Sequence, residues 1–218
     1  MSEIIDIYDE NMKLIGKKER RQAHKDGDWH KAFHCWIVYR NKDKIDFMVV
    51  QRRGPDKDLF PNALDITAAG HYESGETIND GIREVKEELG IDVSYNDLVP
   101  LGVKFDVAKV GDIINREFDD VFLLDYDKDI SDYKFQLEEV AGLAVFNIDD
   151  ALEMYAGERK SIKVRTIMAH QTSDGYVRKE EDIDITPDDF IPRIDEYVQK
   201  VLVIAKRYLN GERKNLVI

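Results

Sequence analysis

The chain has 218 residues, 43% hydrophobic and 35% charged, enough for a sizeable core beneath a very polar surface, in one large or two small domains. Its formal net charge of −13 excludes nucleic acid and anionic membranes as main partners, and an anionic substrate would need local cations or metal ions to offset that field. One cysteine, Cys35, excludes an intrachain disulfide framework, no apolar run approaches the roughly 18 residues of a membrane span, and no apolar leader follows Met1-Ser2-Glu3, so the cytoplasm is the expected compartment. In chain order, residues 4–8 and 12–15 read as a hairpin around Asp9-Glu10-Asn11, and residues 18–26 as a short charged helix. Residues 33–39 and 46–51 read as strands joined by the polar turn Asn41-Lys42-Asp43. A loop punctuated by Gly54-Pro55 and Pro61 follows, then a short strand over 64–69. Further strands are expected near 101–110, 118–126 and 140–148, and a helix over 149–156 opened by a capping acid, Asp149. Gly157 marks a boundary. Beyond it, residues 162–170 and 176–185 suit a hairpin around Ser173-Asp174-Gly175. Thr186 as N-cap and Pro187 at the first position then open one long helix, with Ile191, Ile194, Val198, Val201, Leu202, Ala205 and Leu209 as its apolar stripe.

Residues 70–91, GHYESGETINDGIREVKEELGI, carry the chemistry. Asn79 or Asp80 can cap a short helix here, and Gly90 suits the left-handed residue that ends it. Ile82, Val85 and Leu89 recur at helical spacing as its apolar stripe, and Ile91 and Val93 resume a strand-like alternation. Glu84, Glu87 and Glu88 lie at relative positions 0, 3 and 4, on one face of that helix. Glutamates on a helix usually form a solvated face. Three on one turn repel one another by a few tenths of a kcal/mol per pair, a cost that a hard divalent cation such as Mg²⁺ removes.

The segment resembles the signature of the Nudix superfamily, through Gly70, Glu76, Arg83, Glu84, Val85, Glu87, Glu88, Gly90 and Ile91. One departure is visible: six residues, 77–82, separate Glu76 from Arg83 where the common pattern has seven. The resemblance spans roughly residues 1–157 and implies an α/β/α sandwich with a mixed sheet and an N-terminal hairpin. Residues 158–218 would then be a C-terminal α+β extension, packed on that domain or across a homodimer. It also implies hydrolysis of a diphosphate linkage in a nucleoside diphosphate or derivative, by water attack on phosphorus. Glu84, Glu87 and Glu88 would hold Mg²⁺ or Mn²⁺, which offsets phosphate charge and lowers the pKa of water. Arg83 would orient Glu76 or a metal-binding glutamate, and Gly70 would let backbone approach the phosphates. Glu117 and Glu139 are the two acids after the signature that could supply a base, and either could equally be a plain surface acid. Arg52 and Arg53 are candidates for phosphate contacts, but adjacent strand residues face opposite ways, so only one is expected to reach the site.

A second resemblance, to type 1 isopentenyl-diphosphate isomerases, rests on Ala23-His24, Trp29-His30-Lys31-Ala32-Phe33, His71 and Glu117. It implies metal binding by His24, His30, His71 and Glu117, although the gap between the first two histidines is one residue short. On their own, His24 and His30 are more simply packing or surface residues. The isomerases carry a reactive cysteine immediately before the Gly-His pair; here that residue is Ala69, which has no titratable group. Cys35 lies in an apolar strand and reads as an inert core thiol. A hydrolase sharing the isomerases' N-terminal layout is therefore expected. An isomerase or a non-catalytic nucleotide-binding regulator is the alternative, and the partner in every case is a small diphosphate.

Overall fold

The computed structural model describes residues 3–57, 59–137, 139–173 and 175–218; Met1, Ser2 and Asp174, invoked above, lie outside the described residues. The N-terminal hairpin consists of β1 (Ile4–Tyr8) and β2 (Leu14–Glu19), and the short helix α1 (Arg20–Asp26) follows. Among the described residues, nine strands form one mixed sheet. They are β3 (His30–Arg40), β4 (Asp46–Arg53), β5 (Leu64–Asp65), β6 (Ala68–His71), β7 (Leu98–Val110), β8 (Ile113–Asp125), β9 (Val140–Asn147), β10 (Ile162–Thr172) and β11 (Gly175–Ile185). The main path runs β11-β10-β9-β4-β3-β8-β7, with β3 and β8 parallel and the other pairs antiparallel.

Alternation along β3 sends Trp36 and Val38 to one side of the sheet and Phe33, Cys35 and Ile37 to the other. The first side is covered by α3 (Ile148–Tyr155) and α4 (Tyr197–Leu209), the second by α2 (Arg83–Leu89), which gives the expected mixed α/β sandwich. Val198, Val201, Leu202 and Ala205 of α4 share a core with Trp36 and Met48, and β10 pairs with β9. The chain beyond Gly157 thus continues the same sheet and the same core.

Several elements differ from expectation, each for a local reason. The strand expected over 64–69 is split, because Thr67 turns its hydroxyl inward to accept from Ile37 N at 2.8 Å and to bond Val49 O. Asn79 makes no capping bond; the signature helix opens as a 3₁₀ turn over Asp80–Ile82, while Asp80 accepts from Thr77 N at 2.8 Å. No strand forms at Ile91 and Val93, where the chain runs into a 3₁₀ turn, Tyr95–Asp97, closed by a capping box from Ser94. Asn147, not Asp149, caps α3 by accepting from Asp149 N at 2.7 Å. The long C-terminal helix is interrupted: Thr186 and Pro187 open only the 3₁₀ turn Pro187–Asp189, and α4 begins at Tyr197. Tertiary contact breaks it, since buried Phe190 bridges to Leu64 and Ile191 N donates to Leu64 O at 3.1 Å. Ile194, expected in the apolar stripe, is 83% exposed.

Candidate active site

β3 pairs with β4 through its second half (37–40) and with β6 through its first (32–35), so β4 and β6 part from one another over the signature helix. Glu88 of α2 fills that fork. Its carboxylate accepts from Ala69 N at 2.9 Å and from Gln51 Nε2 at 3.2 Å, and the residue is 3% exposed. Glu84 lies beside it, against Gly70. A Cβ on Gly70 would overlap the Glu84 carboxylate, so glycine is required there by close approach, not by backbone angle. Glu87 is half exposed at the outer edge.

Arg83 ties this group together. It donates to Glu76 through Nε at 2.7 Å and Nη2 at 3.1 Å, to His71 O at 2.9 Å and to Glu87 at 2.9 Å, and its Nη1 lies 2.7 Å from Glu84. The loop that is one residue short therefore still delivers Glu76 to Arg83. A 3₁₀ turn rises about 2.0 Å per residue against about 1.5 Å for an α-helix, which recovers part of the missing length. Asp6 of the N-terminal hairpin holds the loop from outside, accepting from Ser74 Oγ at 2.7 Å and Gly75 N at 3.2 Å.

A cavity of about 540 Å³ opens beside Ala69, Gly70 and His71. Arg20, Arg21 and Lys25 of α1, together with Arg53 and Arg193, line it beside the acids Asp65, Asp106, Asp112 and Glu117, so cations slightly outnumber acids there although the chain as a whole is strongly acidic. Arg53 is the arginine of the pair that lines it; Arg52 instead donates from Nε to Asn62 O at 2.9 Å. Arg53 is held by Asp65 at 2.9 Å, and Arg193 by Asp65 at 3.2 Å and by Asp106. Leu59, Phe60, Val107, Ile113 and Ile191 supply apolar wall. Glu139, half exposed, pairs with Lys57.

His24, His71 and Glu117 line the cavity and meet the fully buried His30, each of the four offering a ligand atom within 4.8 Å of the others. Glu117 accepts from Asn115 Nδ2 at 2.6 Å and lies 3.0 Å from His71 Nε2 and 3.5 Å from His30 Nε2. Although burial disfavours its ionised form, the His30 and His71 rings hold its carboxyl well below the usual range. Burial, reinforced by His30 and Arg20, lowers His24 to about 4; burial lowers His71 to about 3 against the pull of Glu117. The Nε2 atoms of His24 and His30 are buried with no hydrogen-bond partner among the described residues. The neutral imidazoles of His24 and His71, the orphaned ring nitrogens of His24 and His30, and an ionised carboxylate form a donor set that suits a divalent cation.

The signature glutamates pass the same test by a different route. Burial, with the charge of Glu84 next, raises Glu88 to about 8; burial raises Glu84 to about 7, partly offset by Arg83. Two buried carboxylates that resist ionising together are what a bound cation relieves. Without metal, both groups have folded values above the ordinary 4.5. The folded state then holds protons that the unfolded chain releases, so their contribution to stability is intact below about pH 4.5 and is lost as pH rises through about 7 to 8. Melting of metal-free protein should therefore fall between about pH 5 and about pH 9, less steeply in Glu84→Gln, and added Mg²⁺ should restore most of the loss at the alkaline end. A flat profile without metal would contradict this assignment.

The sequence reading missed several cavity and support residues: Asp6, Arg20, His34, Gln51, Lys57 and Arg193. None carries a local pattern; Arg20, Arg21, His24 and Lys25 at helical spacing were the one available signal. Cys35 is fully buried, and burial pushes its thiol up, as expected for a core thiol.

Known proteins place the chain. A NUDIX domain model matches residues 28–164. The chain is 38% identical over 200 residues to an uncharacterised Nudix hydrolase of Clostridium acetobutylicum, covering 92% of this chain and 95% of that protein. It is 35% identical over 138 residues to one of Listeria monocytogenes, covering 62% and 75% of the two chains. In fold it is similar to a crystal structure from Deinococcus radiodurans, with TM-score 0.54, 23% identity, and coverage of 71% and 90%. It is also similar to a MutT/nudix family protein from Enterococcus faecalis, with TM-score 0.52, 12% identity, and coverage of 86% and 66%. With the signature glutamates gathered at one fork of the sheet and the family model spanning most of the chain, this protein belongs to the Nudix family and is a Nudix hydrolase.

Proposed function

We propose that the protein is a metal-dependent hydrolase that cleaves the diphosphate linkage of a nucleoside diphosphate, free or joined to another moiety, by water attack on phosphorus. The observation that carries this reading is the pair of buried carboxylates, Glu84 and Glu88, set against Gly70 and Ala69, two residues that line a cavity also lined by Arg20, Arg21, Lys25, Arg53 and Arg193. Glu84, Glu87 and Glu88 would hold Mg²⁺ or Mn²⁺, whose chemistry is to offset phosphate charge and acidify water. Arg83 fixes the rotamers of Glu76, Glu84 and Glu87 through its three-way contact. Gly70 leaves room for the Glu84 carboxylate to lie against the backbone, and Arg53 offers the cavity a guanidinium already oriented by Asp65.

Of the two acids considered as base, Glu139 is the better placed. Its charge acts on Glu88, it is half exposed, and among the described residues its side-chain partner is the flexible Lys57. Glu117 is committed to His71, His30 and Asn115 and would serve instead in a second cation site with His24, His30 and His71. That site is the support for an isomerase-like N-terminal layout within the family. Residues 158–218 would be an extension of the catalytic domain, because they share its sheet and core.

Isomerase chemistry is disfavoured because Ala69 contributes only its backbone N–H, to Glu88, and Cys35 lies in the β3 core opposite Ala68. No helix among the described residues is long and apolar enough to cross a membrane. A product-resolved screen tests the reading: nucleoside di- and triphosphates, nucleotide sugars, dinucleotides and isoprenoid diphosphates, each with Mg²⁺ and with Mn²⁺. At least one nucleoside diphosphate compound should yield a monophosphate. Tight nucleotide binding with no turnover in any pair would replace the hydrolase with a regulator.

A further inference from the structure

Three buried rings connect α4 to the cavity. His34 of β3 lines the cavity, is 5% exposed, and stands opposite Ala69 in the β3–β6 register. Its Nδ1 lies 3.1 Å from the hydroxyl of Tyr197, the first residue of α4. Trp36 Nε1 lies 3.0 Å from the same hydroxyl. An indole N–H can only donate, so the Tyr197 oxygen accepts from Trp36 and must send its own proton elsewhere. Among the described residues, His34 Nδ1 is the remaining hydrogen-bond partner of that hydroxyl. Asp119 Oδ2 is 3.5 Å from Nδ1, beyond a good bond, and both Asp119 oxygens are buried without a partner.

Nδ1 is therefore the acceptor. The opposite arrangement, a proton on Nδ1, would strand the Tyr197 hydroxyl proton in a buried site, which is costly. A neutral imidazole that accepts at Nδ1 carries its proton on Nε2. The ring is kept neutral by burial and by Arg193 and Lys104, against the opposing charge of Glu117. His34 lines the cavity, and its Nε2 has no hydrogen-bond partner among the described residues, which leaves this nitrogen free to meet a ligand there.

We propose that Tyr197 locks His34 as the Nε2–H tautomer and that His34 donates this hydrogen bond to an oxygen of the bound substrate. His34 is then a specificity-determining residue, and Tyr197 is a positioning residue through which the C-terminal helix acts on the site. A fixed donor at this point discriminates against a substrate that presents an N–H or an apolar group there, because the buried N–H would be left unpaired. The tautomer stands on the structure alone; the substrate contact rests on the hydrolase reading.

Nitrogen NMR of the full chain labelled at histidine separates the two. In free protein the His34 ring should show a protonated Nε2 and a bare Nδ1, and Tyr197→Phe should convert it to Nδ1–H or a mixture. Addition of Mg²⁺ and α,β-methylene-ADP, a nucleoside diphosphate that cannot be hydrolysed, should shift the Nε2–H signals. His34→Leu should weaken binding of that analogue about 10-fold, the worth of one hydrogen bond. His34→Gln, which keeps an N–H donor of similar reach, should bind within about 3-fold of wild type. Melting curves would establish that each variant is folded. A protonated Nδ1 in the wild type overturns the proposal outright. Analogue binding with unmoved His34 signals, or unchanged affinity in folded His34→Leu, overturns the contact while leaving the hydrolase reading in place. No binding to the wild type defeats that reading, and the contact falls with it.

Discussion

Glu88→Gln should lower kcat by about 100-fold or more with Mg²⁺ present, while the protein stays folded. The amide has the same shape, so its oxygen can still accept from Ala69 N, and the fork between β4 and β6 keeps its filling. What disappears is the negative charge that would hold a cation at the point where burial makes charge most effective. Stability should not suffer. Ionised Glu88 is a cost to the metal-free fold, so the variant should melt at the same temperature or higher at alkaline pH. Steady-state kinetics together with thermal melts separate these effects. Full turnover in the variant would remove Glu88 from the metal site.

Gly70→Ala should be nearly as damaging through sterics alone. The added methyl would occupy the volume of the Glu84 carboxylate, and Glu84 cannot retreat without surrendering its contact with Arg83 Nη1. Either the carboxylate swings away or β6 shifts from β3, and both displace the group meant to hold the cation. A fall of about 10²-fold in kcat/KM is expected, with weakened Mg²⁺ activation, because a misplacement near 1 Å costs that much. Gly75→Ala is the contrast. No atom lies near its added Cβ, but its φ of +89° makes any side chain strained, so it should lose stability more than Mg²⁺ affinity.

The carboxylate helix was legible because its information is local. The 0, 3, 4 spacing of Glu84, Glu87 and Glu88, the apolar Val85 and Leu89 and the stop at Gly90 all lie within seven residues. Most strands were legible for the same reason, with ends off by a few residues, but the split at Thr67 and the absence of a strand at Ile91 and Val93 were not. The reach of Glu76 to Arg83 was not legible, since it depends on a 3₁₀ turn and on Asp6, 68 residues away from Ser74 along the chain. The interrupted C-terminal helix was also hidden. Its apolar spacing continues smoothly through Ile191 and Ile194, and only the bridge from Phe190 to Leu64 shows why the chain must stay extended there. That extended stretch brings Arg193 to the cavity and Tyr197 to His34, so a tail without any motif contributes to the site wall. The meeting of His24, His30, His71 and Glu117 depends on the β3–β6 and β3–β8 registers, which place Ala32 opposite His71 and His30 opposite Glu117. Pairings of that kind are set by the whole sheet.

The most direct test of the central claim is one incubation of metal-loaded protein in ¹⁸O-labelled water with a nucleotide sugar, a nucleoside diphosphate and isopentenyl diphosphate, followed by mass spectrometry of every product. Hydrolysis should place one label in a phosphate product of a nucleoside diphosphate compound, should cease in excess chelator, and should leave isopentenyl diphosphate without allylic isomer. Formation of the allylic isomer with no labelled phosphate would contradict the account and would mean that a proton donor other than residue 69 performs the chemistry.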